Sequence, residues 1–283
     1  KEGIEITASH PAGIFYGLMS VSGLVSTDNL TIPFLTIEDA PRYDFRGLHI
    51  DVARNFRSKA FILKTLDQMA AYKLNKLHLH LADDEGWRLE IEGLEELTSI
   101  GAKRCFDLSE QSCLLPQLGA GVTGNSHLDG FYSKQDYLDI LAYAKLRHIQ
   151  VIPSLDMPGH SRAAVVSMQA RYQKYISTDK NKAEQYWLTE PEDKTQYASI
   201  QHYNDNTLNV CLDSTYDFID KVISEVQKLH QKSGMPLSIY HIGADETAGA
   251  WVESPACIAL KKREGEALKG LHTLNGYFIE KVA

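Results

Sequence analysis

Leu237-Ser-Ile-Tyr-His-Ile-Gly-Ala-Asp-Glu-Thr247 opens as an apolar, β-branched run and closes on two adjacent acids, Asp245 and Glu246. The first part predicts a buried strand. A buried parallel strand has no use for two carboxylates, because an unpaired ionised acid is very costly away from water. The open C-terminal mouth of an α/β barrel is where such groups are placed. Neighbours on a strand point to opposite faces, so the two acids are expected in different environments. One is expected to stay ionised against hydrogen-bond donors while the other is desolvated and keeps its proton. That division suggests acid/base chemistry. Alone, the stretch is read equally well as a strand-end Asp cap beside a solvated Glu.

Outward from this stretch, strand and helix periodicities alternate from Phe45 onward. Strands are expected over Gly47–Val52, Lys76–Leu81 and Gln150–Leu155. Helices are expected over Lys59–Tyr72 (capped by Ser58), from Ser133 to Arg147, over His160–Tyr175, from a cap at Ser214 to about Gln231, and over Leu268–Val282. The polar residues 176–207 are expected to run over the mouth of the sheet. Alternation of this kind implies right-handed βαβ units and a parallel sheet, which a doubly wound fold and a barrel both satisfy. Acids after every strand favour an α/β fold of the TIM (β/α)8 type. Such a barrel takes roughly 250 residues, yet only four convincing strands follow Phe45, so the first half of a barrel is expected over 41–283. Residues 1–40 hold a strand fragment, Ile4–Thr7, and a helix-like run from Pro11 to Val25. They are too few to bury a core, and are expected to be the tail of a small α/β domain plus a connector.

Composition narrows the function. Of the 283 residues 43% are apolar and 23% charged, as in an ordinary soluble globular protein. The net charge of −8 argues against nucleic acid as a partner. No apolar run is long enough for a transmembrane helix. The chain starts at Lys1, which suggests a processed or excised segment. Cys105, Cys113, Cys211 and Cys257 form no Cys-x-x-Cys pair, so zinc or redox motifs are not expected. Cys105 and Cys113 are close enough to close a small disulfide loop in an oxidising compartment, and are otherwise two reduced thiols.

The strand ends carry the chemistry. They read Arg46 and His49-Ile-Asp-Val-Ala-Arg-Asn55; His78-Leu-His80-Leu-Ala-Asp83-Asp84-Glu-Gly-Trp87-Arg88; Asp156-Met-Pro-Gly-His160; and Asp245-Glu246. Any one His or Asp there is more simply a hydrogen-bonded structural residue, but four acid-bearing ends together are informative. His78 and His80 on one strand face could bind a metal with help from His49 and His241. A packed histidine ladder is the better reading, and no metal or cofactor is expected. Trp87-Arg88 after paired acids suggests a sugar, since a flat ring stacks on a pyranose and Arg binds hydroxyls.

Pro41-Arg-Tyr-Asp-Phe-Arg-Gly-Leu-His-Ile-Asp-Val-Ala-Arg54, the His78–Arg88 stretch, Asp156–His160 and His241–Glu246 resemble the ordered motifs of family 20 glycoside hydrolases. These are the β-N-acetylhexosaminidases, and bacterial chitobiases are the nearest likeness. The resemblance implies an exo-acting hydrolase that releases terminal non-reducing β-linked N-acetylglucosamine from chitobiose or chito-oligosaccharides. The family retains configuration through a substrate-assisted oxazolinium intermediate. It implies Glu246 as general acid and base, and Asp245 as the residue that orients and stabilises the 2-acetamido group. Arg46 would hold sugar hydroxyls, and Asp83 and His160 would support Glu246. A periplasmic, outer-membrane-associated or secreted location is implied, with disulfides Cys105–Cys113 and Cys211–Cys257.

Nothing after Glu246 supplies the family's tryptophan box, its acetamido-contacting tyrosine or its later sugar-binding acids. The chain is therefore expected to be a segment of a longer enzyme, inactive or nearly so alone, closing its open strand edges by self-association. A metal-dependent barrel hydrolase and a non-catalytic sugar-binding relic are the other readings.

Overall fold

The computed structural model describes residues 3–116, 127–247, 249–265, 268 and 274–283. Strands β1 (Gly47–Asp51), β2 (Lys76–Asp83), β3 (Gly86–Trp87), β4 (Gln150–Met157) and β5 (His241–Gly243) form one sheet. Its parallel strands run in the order β1-β2-β4-β5, each beside its predecessor, while β3 folds back antiparallel on β2. A doubly wound sheet would reverse its order at a switch point. The unbroken sequential order is that of a barrel, here four parallel strands of the TIM (β/α)8 type.

Helices α1 (Pro11–Leu24), α2 (Lys59–Ala71), α3 (Glu96–Ser99), α4 (Lys134–Lys145), α5 (Arg162–Tyr175), α6 (Lys180–Glu184), α7 (Asp213–Ser233), α8 (Pro255–Glu264) and α9 (Leu274–Val282) accompany them. Ser58 starts α2 by accepting from Phe61 N–H, and Ser133 and Asp136 form a reciprocal capping box at α4. α2 packs on α4 and α4 on α7, covering one face of the sheet. Leu77, Leu79, Leu81, Val151 and Leu155 face these helices and are buried with Leu66, Tyr137, Leu141, Phe218 and Val222. The opposite face carries His49, His78, His80, Ser154 and His241. His49 and His241 are exposed there.

Several expectations need correction. The strand expected over Leu237–Gly243 pairs only at His241–Gly243, and Ile4–Thr7 forms no strand. Helix α5 begins at Arg162 rather than His160, because His160 has a left-handed φ of 52°. Ser214 does not cap α7: the helix starts at Asp213 after Leu212, and the Ser214 hydroxyl donates to Trp187 O instead. Helix α8 was not expected. The helix expected over Leu268–Val282 is described as α9 over Leu274–Val282, and residues 269–273 lie outside the described residues. No α1 residue is buried, although its sequence is apolar.

Candidate active site

The site lies where β2, β4 and β5 end. Between β2 and β4 the register shifts: His80 pairs with Ser154, but Ala82 pairs with Leu155. This bulge inserts one extra residue into β2 and reverses its alternation. Ala82 therefore takes the outer face with Leu155, and Asp83 turns inward beside His80. Without the bulge, the period of two would send Asp83 into the helix-covered core.

Asp83 is fully buried and saturated with donors. His80 Nε2 lies 2.8 Å from its Oδ2, Arg54 Nη2 lies 2.9 Å from the same oxygen, and the Asp84 N–H donates to Oδ1 at 2.6 Å. His160 Nδ1 lies 3.2 Å from Oδ1 and 3.5 Å from Asp84 Oδ2. The other ring nitrogen, Nε2, is 3.1 Å from Glu246 Oε2. A continuous chain thus runs Arg54–Asp83–His160–Glu246, from a half-buried guanidinium through the buried Asp83 to an exposed carboxylate.

Burial alone would raise the Asp83 pKa, but hydrogen bonds from His160 and His80 and the Arg54 charge pull it below the ordinary carboxylate value. Hydrogen bonds to Asp83 and Asp84 overcome burial and raise His160 far above an ordinary imidazole. His160 is then an imidazolium at neutral pH, donating from both nitrogens. Burial works against the charged form of His80 too, but the Asp83 hydrogen bond and nearby acids raise its pKa. Burial raises the pKa values of Asp156 and Glu85. Tyr203 Oη donates to Glu85 Oε1 at 3.3 Å, and Arg54 Nε donates to its Oε2 at 3.2 Å.

Asp245 and Glu246 lie just past β5 in a tight turn. Gly243, Ala244 and Glu246 have φ of 67°, 66° and 51°. Left-handed backbone at the two non-glycine positions is strained and is held by its surroundings. The expected alternation of the acids across a strand fails for this reason, since both lie beyond the ladder. Both are exposed, so neither is the desolvated acid expected from the sequence. Two glycines let this turn approach β4. A Cβ on Gly159 would lie 2.6 Å from the Asp245 carbonyl oxygen, and one on Gly243 would lie 2.5 Å from the Asp156 carboxyl carbon.

The excursion over 176–207 does cross the mouth. Gln201 Nε2 donates to Glu246 Oε2 at 3.0 Å, and Asn206 Nδ2 donates to Asp84 Oδ2 at 3.0 Å. Arg162 ties it down. Its backbone N–H donates to Asp84, its Nε to Asp205 and its two terminal nitrogens to Glu110. Glu110 lies in the loop closed by the disulfide Cys105–Cys113. A second disulfide, Cys211–Cys257, links the residues before α7 to α8.

Three sequence-based assignments are displaced. Arg46 is not in the site. It precedes β1 at the opposite end of the sheet, where Nε donates to Lys73 O and Nη1 to Tyr43 O. From Lys76 at that end to Asp83, seven steps of about 3.3 Å each separate the two ends by roughly 23 Å. Arg54, which follows β1 and was not singled out, is the arginine the site contains. Trp87 is no stacking platform: it is buried beside Phe218, and its Nε1 donates to Leu89 O. Arg88, equally buried, donates to the carbonyls of Val52, Ala53, Ala102 and Gly130.

His80-Asp83-Asp156, Asp83-Asp84-His160 and His160-Asp245-Glu246 each gather potential metal-ligand atoms within 4.8 Å. In the first two groups the Asp83 oxygens already receive N–H donors from Arg54, His80 and His160, which suits ion pairing better than metal ligation. His78 lies elsewhere, between His49, which meets it edge-on at a ring separation of 4.6 Å, and His241, tilted against it at 4.7 Å. Burial, and then its histidine neighbours, lower the His78 pKa to about 4.

Residues 43–283 match the model of the glycosyl hydrolase family 20 catalytic domain. The chain is 62% identical over its whole length to β-hexosaminidase B of Pseudoalteromonas piscicida, covering 36% of that protein. It is 56% identical to N,N'-diacetylchitobiase of Vibrio harveyi over 87% of the chain, covering 28% of that protein. The crystal structure of a family 20 exo β-N-acetylglucosaminidase from Vibrio harveyi, in complex with N-acetylglucosamine, superimposes with a TM-score of 0.78 at 36% identity. It covers 95% of the chain, and the chain covers 39% of it. The chain thus spans about a third of the length of the curated relatives it matches. With four sequential barrel strands ending in these acids, the chain belongs to glycosyl hydrolase family 20.

Proposed function

We propose that the polypeptide carrying these residues is a retaining exo-glycosidase that removes terminal β-linked N-acetylglucosamine from chitobiose-like oligosaccharides with help from the substrate. The observation that carries this reading is the Asp83–His160–Glu246 chain, which ends on an exposed carboxylate whose neighbour is a second exposed acid. Glu246 protonates the leaving glycosidic oxygen while the acetamido oxygen attacks the anomeric carbon, giving an oxazolinium ion. Asp245 stabilises the positive charge that develops on the acetamido nitrogen. Water then opens the ring, and its proton passes to Glu246. Arg54 takes the place first given to Arg46, at the mouth of the sheet. The two disulfides support an oxidising compartment, the periplasm or beyond.

Glu246→Gln is expected to lower kcat about 10²–10⁴-fold while sugar binding survives. Asp245→Asn is expected to slow 2-acetamido substrates far more than 2-hydroxy analogues. An Asp245→Asn enzyme with unchanged rate on acetamido substrates would overturn the substrate-assisted mechanism.

A further inference from the structure

Glu246 receives two donors on one oxygen. The His160 imidazolium approaches Oε2 at 3.1 Å and the Gln201 amide approaches the same Oε2 at 3.0 Å. Among the described residues no donor reaches Oε1. The two donors come from different segments, His160 from the turn after β4 and Gln201 from the excursion over the mouth. Gln201 makes no other side-chain hydrogen bond among the described residues. Its own Oε1 is buried there without a partner. A buried amide oxygen left unsatisfied costs on the order of 1–3 kcal/mol, so the amide is held in place against a penalty. Turned over, the amide would set oxygen against carboxylate oxygen, which fixes the donor toward Glu246.

We propose that Gln201 is a positioning residue for the proton-transferring carboxyl: with His160 it holds Glu246 Oε2 as a permanent acceptor, so that Oε1 is the oxygen that gives and takes the proton. The proposal rests on Glu246 being the acid and base. In the first step the Oε1–H proton goes to the glycosidic oxygen as the bond to the anomeric carbon breaks and the bond to the acetamido oxygen forms. In the second, a water proton returns to Oε1 as the water oxygen bonds to the anomeric carbon. Oε2 accepts from the same two donors throughout, so the side chain need not rotate between steps. Because Gln201 is neutral, its N–H can stay on Oε2 in both the carboxylic acid and the carboxylate while favouring the charged form only modestly, whereas a second cation would hold the proton off. The charged groups around Glu246 are His160, with Asp83 and Asp84 behind it, and Asp245, with Asp156 behind it.

The test uses the near-isosteric Gln201→Met, which removes the donor and keeps the shape, with Gln201→Ala as a second variant should the first fail to fold. Carboxyl ¹³C NMR of the chain follows Glu246 directly and needs no turnover. Loss of a donor to the charged form is expected to move its titration midpoint upward by about half a unit or more. Where turnover is measured, the loss is expected to be about tenfold for sugar leaving groups that need protonation, and less than about twofold for a dinitrophenyl leaving group that does not. An unmoved midpoint, or equal losses on both substrates, would overturn the role. Undiminished turnover of the sugar substrate by Glu246→Gln would instead show that the acid assignment itself is wrong.

Discussion

Arg46 and Arg54 flank β1, and that short strand separates their roles. Arg46 donates to two backbone carbonyls at one end, whereas Arg54 meets Asp51, Asp83 and Glu85 at the other. Asp83 and Glu85 are buried, so removing the guanidinium takes a positive charge from beside both acids. Arg54→Ala is expected to cost about 3 kcal/mol in urea denaturation. Asp83 supplies the pH test. Its folded pKa lies below the ordinary 3.8, so its stabilising contribution is present above that value and is lost as pH falls through the lower folded value. The Tm difference between the wild type and Asp83→Asn is therefore expected to shrink steadily below pH 4. A difference constant with pH would mean that Asp83 is not held ionised. The motifs made Asp83, His160, Asp245 and Glu246 legible as a group, because acids at strand ends stand out against apolar runs. The contacts of each were less legible. Asp83 faces His80 only through a bulge, and no local pattern announces an extra residue in a ladder. Trp87 and Arg88 read as sugar ligands because side-chain chemistry alone does not tell a wet surface from the interior.

The elements that position the site meet backbone to backbone. Gly159 in the turn after β4 and the Asp245 carbonyl after β5 approach so closely that a Cβ has no room. Gly159→Ala is expected to push the acid-bearing turn away from His160. Stability should fall by about 1–3 kcal/mol, and the Glu246–His160 hydrogen bond should break. A histidine NMR titration checks this, since His160 loses a neighbour while keeping Asp83. Boundaries followed local chemistry where local chemistry decides them. Ser58 and Ser133 cap the helices expected of them. Helix α8 carries the same signal, Ser254 followed by Pro255 at the first position. β5 came out shorter than its apolar run because pairing depends on the neighbouring strand, and only His241–Gly243 matches β4.

Across the whole molecule, helices cover one face of the sheet and the histidine-lined face stays open at His49 and His241. The half-barrel was legible in the count of strands against chain length, because the alternation of elements is set by hydrophobic period alone. The disulfide Cys211–Cys257 closes a loop of 46 residues around β5 and the acid-bearing turn. In the chain-entropy model such a loop contributes about 4 kcal/mol. The double variant Cys211→Ser/Cys257→Ser is expected to lose up to about that much in denaturant unfolding, and more than Cys105→Ser/Cys113→Ser, whose loop spans 8 residues. The order β1-β2-β4-β5 has one more consequence. A nascent polypeptide can lay down each strand against the last without reserving a gap for a latecomer, which keeps its contacts comparatively local. Arg54, Asp83, His160 and Glu246 leave the ribosome in that order, alternately cationic and anionic, so each charge after the first emerges to find its counter-ion already in place.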